Sequence, residues 1–370
     1  MTNHDWMRLT DETAVPSPSL LIYPDRVEEN LRHMIARAGG PARLRPHIKT
    51  HKLPQIVARQ VALGITKCKC ATIAEAEMAA RAGATDVLIA TQLVGPNVAR
   101  LLALQRAFPG VKFSTITDDP AVAAELDRGA REAGATIEVL VDLDVGMGRT
   151  GIAPGPGAVE LYRAIAAAAG LRAGGLHAYD GHLRQSSLDE RSAAAADGIA
   201  RTEALRTELI GLGLAVPRLV AGGTPTFPIH ARRADVECSP GTCTLWDAGY
   251  GGKLPDLDFL HAAVLFTRVI SRPGAHRLCL DLGHKAVASE MPHPRVVFPA
   301  LPEASALTHS EEHLVIETAR AGEFPAGTAL YGVPWHVCPT VALHDRVFVV
   351  RDGRVAEEWP VVARARRLSF

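Results

Sequence analysis

Strand-like and helix-like patterns of apolar residues alternate along the first two thirds of the chain. Ser19–Tyr23 is an apolar run typical of a strand, and residues 26–38 have the spacing of an amphipathic helix. The same succession returns several times up to about residue 250. A βαβα order of this kind predicts a parallel sheet with helical crossovers. The number of units is close to eight, which favours a closed (β/α)8 barrel over an open, doubly wound sheet.

Several helix ends carry local signals. Thr72-Ile73-Ala74-Glu75 and Ser187-Leu188-Asp189-Glu190 are capping boxes, in which a hydroxyl and a carboxylate satisfy the first amides of a helix. The junction Ala82-Gly83-Ala84-Thr85 recurs as Ala133-Gly134-Ala135-Thr136. Each time a helix is expected to end at the glycine and a strand to follow it.

The pattern changes after about residue 257, where strands replace long helices. They are expected at 259–270, 276–281, 294–299, 313–317 and 345–350. Asp352-Gly353 lies between two apolar runs, which is a strong hairpin signal. We therefore expect two domains, a barrel over residues 19–256 and a mainly β domain formed by residues 1–18 and 257–370.

Composition excludes several classes of protein. The 370 residues exceed one ordinary domain, and 40 basic residues balance 40 acidic ones. A formal charge of zero gives no global attraction to nucleic acid or to an anionic membrane, so neither is an expected partner. No apolar run is long enough to span a bilayer, and the N-terminus lacks a signal-peptide core. The six scattered cysteines form no disulfide framework, which predicts a reducing cytoplasm.

Lys49 is the strongest candidate for chemistry. It lies in the run Arg45-Pro46-His47-Ile48-Lys49-Thr50-His51-Lys52, at the end of a predicted strand. The strand ends of a barrel hold its site, and an amine placed there can form a Schiff base with an aldehyde. The alternative is a basic strand end that binds an anion or is simply solvated.

Two further strand ends carry polar groups. The strand at Val141 runs into a glycine-rich turn that contains Arg149, which fits an anionic oxygen. His177 and Tyr179 follow another short strand and fit a planar cofactor, by stacking or by hydrogen bonding. A turn with one arginine is, by itself, more often structural, and for the polar strand end a structural role is an equal alternative.

Two late loops are rich in glycine and threonine. Ala221-Gly222-Gly223-Thr224-Pro225-Thr226 and Pro240-Gly241-Thr242 follow the last two predicted barrel strands. Small residues let backbone N–H groups approach an anion, and barrels often bind phosphate at this position. The loops therefore predict a phosphate site, although neither is specific alone.

The last cluster is Val333-Pro334-Trp335-His336-Val337-Cys338-Pro339-Thr340. If this stretch is extended, His336 and Cys338 point to one face. Imidazole and thiolate together suit zinc, and two protein ligands leave positions open for water or substrate. An isolated His-x-Cys pair, however, is usually not a metal site.

With these motifs the chain resembles the fold-type III pyridoxal-phosphate (PLP) enzymes, and within them the D-threonine aldolase and D-serine dehydratase family. The resemblance covers nearly the whole chain. Its carriers are RPHIKTHK at 45–52, CATIAEAE at 70–77, DVGMGRTG at 144–151, GGTPT at 222–226, PGT at 240–242 and HVCPT at 336–340.

The resemblance implies a role for each matching position. Lys49 matches the lysine that holds PLP, and Arg149 matches the turn arginine that contacts it. His177 and Tyr179 match the residues beside the cofactor ring. The phosphate loops would be formed by Gly222, Gly223, Thr224, Gly241 and Thr242. His336 and Cys338 match a metal pair near the cofactor, with zinc favoured and manganese as the alternative.

The implied activity is that of a PLP- and metal-dependent lyase acting on 3-hydroxy-D-amino acids. Cys338 favours a D-serine or 3-hydroxy-D-aspartate dehydratase, whereas Gly283-His284-Lys285-Ala286 and Ser310-Glu311-Glu312-His313 are more similar to D-threonine aldolases. We weight the longer segments and expect a D-threonine aldolase. An amino-acid racemase and a non-catalytic PLP-binding protein are further alternatives. The resemblance also implies a homodimer.

Overall fold

The computed structural model describes residues 4–370, so the first three residues of the predicted β domain lie outside it. The strands run in chain order as β1 Ser19–Ile22, β2 Lys67–Cys70, β3 Asp86–Gln92, β4 Lys112–Thr117, β5 Ile137–Leu143, β6 Leu171–Ala178, β7 Leu219–Ala221, β8 Val236–Cys238, β9 Ala263–Gly274, β10 Arg277–Leu280, β11 Val296–Val297, β12 Ser305–His309, β13 Leu314–Glu317, β14 Ala329–Pro334, β15 Arg346–Arg351 and β16 Arg354–Pro360.

The α-helices alternate with the first strands and become rare afterwards. They are α1 Pro24–Ala38, α2 Pro54–Ala62, α3 Ile73–Arg81, α4 Pro96–Ala107, α5 Pro120–Glu132, α6 Pro156–Ala167, α7 Leu188–Gly211, α8 Phe227–His230, α9 Ala248–Lys253 and α10 Val337–Leu343. The hydroxyl half of both predicted capping boxes is confirmed: Thr72 Oγ1 accepts the Glu75 N–H at 3.2 Å, and Ser187 Oγ accepts the Glu190 N–H at 3.4 Å. The Glu75 carboxylate accepts the Ala71 N–H at 2.7 Å. Across residues 4–370, no helix combines the length and the apolar character that a membrane crossing requires.

Strands β2 to β8 form a parallel sheet in sequence order. A short extended segment bridges both of its edges, because Leu44 pairs with Cys238 of β8 and His47 pairs with Lys69 of β2. The Arg45 N–H donates to the Cys238 carbonyl at 2.9 Å, and the Lys69 N–H donates to the Pro46 carbonyl at 2.8 Å. The segment therefore occupies the position of an eighth strand and closes the ring. The expected (β/α)8 barrel is confirmed.

The barrel interior is layered. Leu88, Ile116, Leu140 and Val220 form an apolar cluster inside it. At the amino ends of the strands lies Arg45, whose fully buried guanidinium pairs with Asp86 at 2.8 Å and with Glu237 at 2.6 Å. Ion pairing compensates for the cost of burying this charge. The amino end is thus filled by structural ion pairs, which leaves the carboxyl end for a site.

The remaining strands form a mixed sheet with the order β12-β13-β10-β9-β1-β15-β16, and β14 and β11 extend it beside β9. Strand β1 pairs antiparallel with β9 and parallel with β15. The apolar pattern had placed Ser19–Ile22 at the start of the barrel, but its partners lie in the mixed sheet. All four residues are buried, so the strand has no polar face that would assign it to either sheet.

All five strands expected after residue 257 are present, and the mainly β character of this region is confirmed. The predicted hairpin joins β15 to β16, with Asp352 and Gly353 at φ values of 49° and 71°. Positive φ at both central residues suits the Asp-Gly pair. The sequence pattern missed β12 and β14, of which β12 is mostly exposed and polar.

The described chain forms two compact units. The barrel unit contains residues 32–49, 54–241 and 365–370, and the β unit contains residues 4–31, 50–53 and 242–364. Lys49 and Thr50 are consecutive residues that belong to different units, as are Gly241 and Thr242.

Candidate active site

In the barrel unit, the candidate residues follow the carboxyl ends of the strands. Lys49 is half-buried in a 3-10 turn, Ile48–Thr50, directly after the segment that closes the ring. His177 lies near the end of β6, Gly222 directly follows β7, and Gly241 lies three residues beyond β8. Parallel strands present their carboxyl ends on one side, so these residues share one end of the barrel.

A second lysine, Lys69 on β2, faces the same group of residues. Its side chain is 1% exposed, and its Nζ lies 3.4 Å from Nε2 of His177. Burial and the nearby charge of Lys49 lower the pKa of Lys69 to about 7. The sequence motifs assign no role to Lys69. The signal was the alternation of β2, which turns Lys69 away from the side of the two cysteines.

His177 is held at both ring nitrogens. Its Nδ1 lies 2.7 Å from Oδ1 of Asp142, which also accepts the Thr150 hydroxyl at 3.0 Å through its other oxygen. Burial lowers the pKa of His177, against the opposing effect of Asp142. Burial alone would raise the pKa of Asp142, but the bonds from His177 and Thr150 lower it overall. A neutral imidazole that donates from Nδ1 to a carboxylate is the arrangement that follows.

Tyr179 and Arg149 form a cation–π contact, with the Arg149 guanidinium carbon 5.0 Å from the centre of the tyrosine ring. Arg149 is exposed in its glycine-rich turn, where Asp144 accepts the N–H groups of Gly146 at 2.9 Å and Gly148 at 3.0 Å. A Cβ atom at Gly223 would lie 2.9 Å from the Tyr179 ring. The tyrosine ring therefore packs against the first predicted phosphate loop.

The two predicted phosphate loops are joined by a hydrogen bond, in which the Gly241 N–H donates to the Thr224 hydroxyl at 3.1 Å. Gly222 has a φ of +78°, and a Cβ there would lie 2.5 Å from the His230 ring. Buried Asp180 supports this loop. It accepts the Thr226 hydroxyl at 2.5 Å and contacts His230 Nε2 at 2.7 Å, while Thr226 accepts the Gly223 N–H at 3.2 Å.

The residues of this end of the barrel fit PLP. Glycines at 222 and 223 let the loop backbone pack directly against the His230 and Tyr179 rings, and backbone N–H groups of such a glycine loop, with threonine hydroxyls beside them, suit a phosphate group. A lysine amine, a neutral imidazole and a tyrosine ring supply the covalent and aromatic contacts that a pyridine aldehyde needs.

Gly222→Ala should weaken PLP binding about tenfold or more, because a positive φ and the His230 contact together cost about 1–3 kcal/mol. A titration of cofactor absorbance measures the affinity. Gly211→Ala is the matched control, since a Cβ at Gly211 meets nothing within 4 Å. Wild-type affinity in a folded Gly222→Ala protein would remove the loop from the cofactor site.

In the β unit, His336 and Cys338 lie at the start of helix α10, with His336 at its N-cap. The stretch does not stay extended, because the chain turns into the helix at Val337. Buried Asp247 stabilises the turn by accepting the Val337 N–H at 3.1 Å and the Tyr250 N–H at 3.0 Å. Burial raises the pKa of Asp247 to about 6.

The side chains of His336 and Cys338 nevertheless meet. Burial opposes a charged imidazole, yet the bond to Cys338 and the contact of Nδ1 with Glu290 raise the pKa of His336 to about 9. Burial likewise opposes a thiolate, but His336 and then Thr50 lower the pKa of Cys338. The Cys338 sulfur also lies 3.3 Å from the Thr50 hydroxyl and 3.7 Å from that of Thr242.

This pair fits a divalent metal in its donor chemistry. A carboxylate at Nδ1 orients the imidazole so that Nε2 can ligate, and the adjacent sulfur has thiolate character. Within residues 4–370, no set of three or more His, Cys, Asp or Glu side chains has the arrangement of a metal site. Two protein ligands leave positions for small molecules, as in catalytic rather than structural sites.

A parallel α/β barrel with a strand-end lysine, combined with a mixed β unit, defines the class of fold-type III PLP enzymes. The chain belongs to this class: the model of the alanine racemase N-terminal domain matches residues 22–245, and that of a putative serine dehydratase domain matches residues 262–350.

Similar proteins cover almost the entire chain. D-threonine aldolase from Arthrobacter sp. is 33% identical over 356 residues, which span 95% of this chain and 93% of the relative. 3-Hydroxy-D-aspartate aldolase from Paracoccus denitrificans is 31% identical and covers 96% of this chain and 94% of its own length. The crystal structure of D-threonine aldolase from Filomicrobium marinum superposes with a TM-score of 0.89 at 33% identity, over 96% of this chain and 97% of that one.

Proposed function

We propose that this chain is a PLP- and divalent-metal-dependent lyase that cleaves 3-hydroxy-D-amino acids, D-threonine in particular, to glycine and an aldehyde. The observation that carries the proposal is the 33% identity to a D-threonine aldolase across 95% of the chain. The lysine at the barrel end and the glycine loop that follows β7 supply the groups that this chemistry needs.

The barrel residues have separate roles in the proposal. Lys49 binds the cofactor aldehyde through its amine, and the loops that contain Gly222 and Gly241 bind the phosphate group. His177 lies beside the cofactor ring as a neutral imidazole, because Asp142 holds its Nδ1 proton. Arg149 contributes a positive charge next to Tyr179 and so favours an anionic oxygen of the cofactor.

When bound, PLP supplies an electron sink for negative charge at Cα, and a divalent metal supplies a Lewis acid for the β-hydroxyl group. Retro-aldol cleavage breaks the Cα–Cβ bond as the hydroxyl loses its proton, and an aldehyde leaves. His336 and Cys338 would hold the metal, with Glu290 keeping the imidazole in its orientation. A nitrogen and a sulfur ligand favour zinc, and manganese is the alternative.

A dehydratase is the second candidate, and Cys338 together with the match to a putative serine dehydratase domain supports it. In that reaction the Lys49 amine takes the proton from Cα, and the β-hydroxyl leaves as water. D-Serine or 3-hydroxy-D-aspartate would then give a 2-oxo acid and ammonia. Both reactions need the same groups and differ only in which bond breaks.

Product analysis distinguishes the two reactions. Purified protein supplied with PLP and a divalent metal should release glycine and acetaldehyde from D-threonine, and little or no pyruvate from D-serine. L-Threonine is the control and should give neither product. Pyruvate and ammonia from D-serine without glycine from D-threonine would replace the aldolase by the dehydratase.

We propose a homodimer as the assembly on the basis of the fold-type III resemblance, and a reducing cytoplasm as the compartment. All six cysteines of the chain are free thiols, which supports the second proposal.

A further inference from the structure

Lys69 is a buried ionisable group that the proposed reaction does not use. Burying a charged amine away from water costs free energy unless nearby groups stabilise the charge. The groups that face it come from several elements: Lys49 and Arg45 from the ring-closing segment, Asp142 from β5, His177 from β6, and Tyr179 and Asp180 from the residues after β6. Two cations and two carboxylates thus surround it.

Geometry gives this lysine one direct partner. Its Nζ lies 3.4 Å from Nε2 of His177, whereas the centre of the Tyr179 ring is 5.5 Å away. The opposite ring nitrogen of His177 lies 2.7 Å from Asp142. A carboxylate only accepts, so Nδ1 carries the imidazole proton and Nε2 offers a lone pair. Lys69 is the donor that satisfies this lone pair.

We propose that Lys69 is a positioning residue of the cofactor site, which donates to Nε2 of His177 and, with Asp142 on Nδ1, fixes the imidazole as its Nδ1–H tautomer. The inference rests on the proposed function, in which His177 lies beside the cofactor ring. With both nitrogens engaged, His177 presents its ring face to the cofactor and exchanges no proton with it. Lys69, Asp142 and His177 then form one chain of charge +1, –1 and 0.

The charge of this chain changes near neutral pH. The pKa of Lys69 is lowered to about 7 by burial and by Lys49. The three side chains Lys69, His177 and Asp142 together are therefore neutral below that pH and carry a net negative charge above it. A neutral amine still donates an N–H to Nε2, so the tautomer persists while the charge beside His177 is lost.

Nitrogen NMR of histidine tests the proposal without turnover. The full-length protein is labelled with ¹⁵N-histidine, and His177→Gln identifies the signals of His177. We expect the wild-type protein, free of cofactor, to show a protonated Nδ1 and a hydrogen-bonded Nε2 whose shift titrates with a midpoint near pH 7. Lys69→Arg keeps the charge and should abolish that titration.

Lys69→Met removes the donor and should release Nε2 from its hydrogen bond, while the protein unfolds at or above the wild-type temperature because a buried charge is lost. Lys69→Gln is the second variant; it retains an N–H donor and should keep the tautomer without the titration. Lys67→Met is the matched control, because Lys67 lies two residues earlier on β2 and pairs with Glu237 instead. It should leave the His177 signals unchanged.

Activity gives an independent second reading. With PLP bound, Lys69→Met should lower kcat/KM about tenfold or more, as for other partners that orient a functional imidazole. A wild-type Nε2 signal in Lys69→Met, or an Nε2–H tautomer in the wild-type protein, would overturn the inference. If the NMR results hold but the protein neither binds PLP nor cleaves D-threonine, the proposed function fails and the hydrogen-bonded chain stands.

Discussion

Replacing Lys49 by alanine is expected to lower turnover of D-threonine by at least about 10³-fold, as for other covalent catalytic groups, and to abolish the visible absorbance of the lysine-bound cofactor. The physical reason is that the barrel end then lacks the amine that holds the cofactor aldehyde. The buried amine of Lys69 on β2 points to His177 and is not expected to replace the Lys49 amine. Absorbance spectra and initial rates measure both effects.

Lys253→Ala is the matched control, because Lys253 is an exposed lysine at the end of α9. It should retain the spectrum and the rate. Some PLP will still bind to Lys49→Ala through the phosphate loops, without a covalent bond. Retention of both the absorbance band and substantial turnover in Lys49→Ala would contradict the assignment.

The second large effect concerns the metal. His336→Ala and Cys338→Ala should each reduce the metal content of the purified protein and lower turnover by at least about 10²-fold, since two ligands cannot be reduced to one without loss of affinity. PLP should remain bound, because all of its predicted contacts except Thr242 lie in the barrel unit. Elemental analysis, cofactor absorbance and initial rates give the three readings.

Two variants in the same unit serve as controls. His276 is exposed and Cys279 is a half-buried free thiol, so His276→Ala and Cys279→Ala should keep both metal and activity. Extended treatment with a chelator should reproduce the loss in the wild-type protein, and added zinc or manganese should reverse it. Full activity in a chelated protein that contains no metal would exclude the metal from the reaction.

Much of the fold follows from local signals in the sequence. Thr72 and Ser187 predict helices that begin one residue later, and the Asp352-Gly353 turn predicts the hairpin in the β unit. These features can be predicted because the residues that determine each helix start or turn lie within a few positions of it in the sequence. The motif around Lys49 is equally local, since it combines an extended segment with a functional group at its end.

The errors have a long-range cause. Ser19–Ile22 is apolar on both faces, and only its pairing with Val264 and Phe348 assigns it to the mixed sheet. Val337 begins a helix because Asp247, 90 residues earlier, accepts its N–H. Neither partner is visible in a local pattern.

Sequence motifs are enough to propose the residues of the candidate site, but they do not show the hydrogen bonds that join those residues. The pairing of Gly241 with Thr224 joins two loops that sequence alone could only place side by side. Lys69 belongs to none of the motifs in the sequence, because it lies inside the short strand Cys68-Lys69-Cys70 and not at a strand end. A lysine in the middle of a predicted buried strand is itself a signal, since burial of an unpaired charge is too costly to be accidental.

Reduction with sodium borohydride tests the central claim most directly, because it converts the bond between a lysine and PLP into a stable secondary amine. The wild-type protein is incubated with PLP, reduced, digested and analysed by mass spectrometry. The account predicts a single pyridoxyl group, on the peptide that contains Lys49. A label on Lys69 or on any other lysine, with Lys49 unmodified, would contradict it.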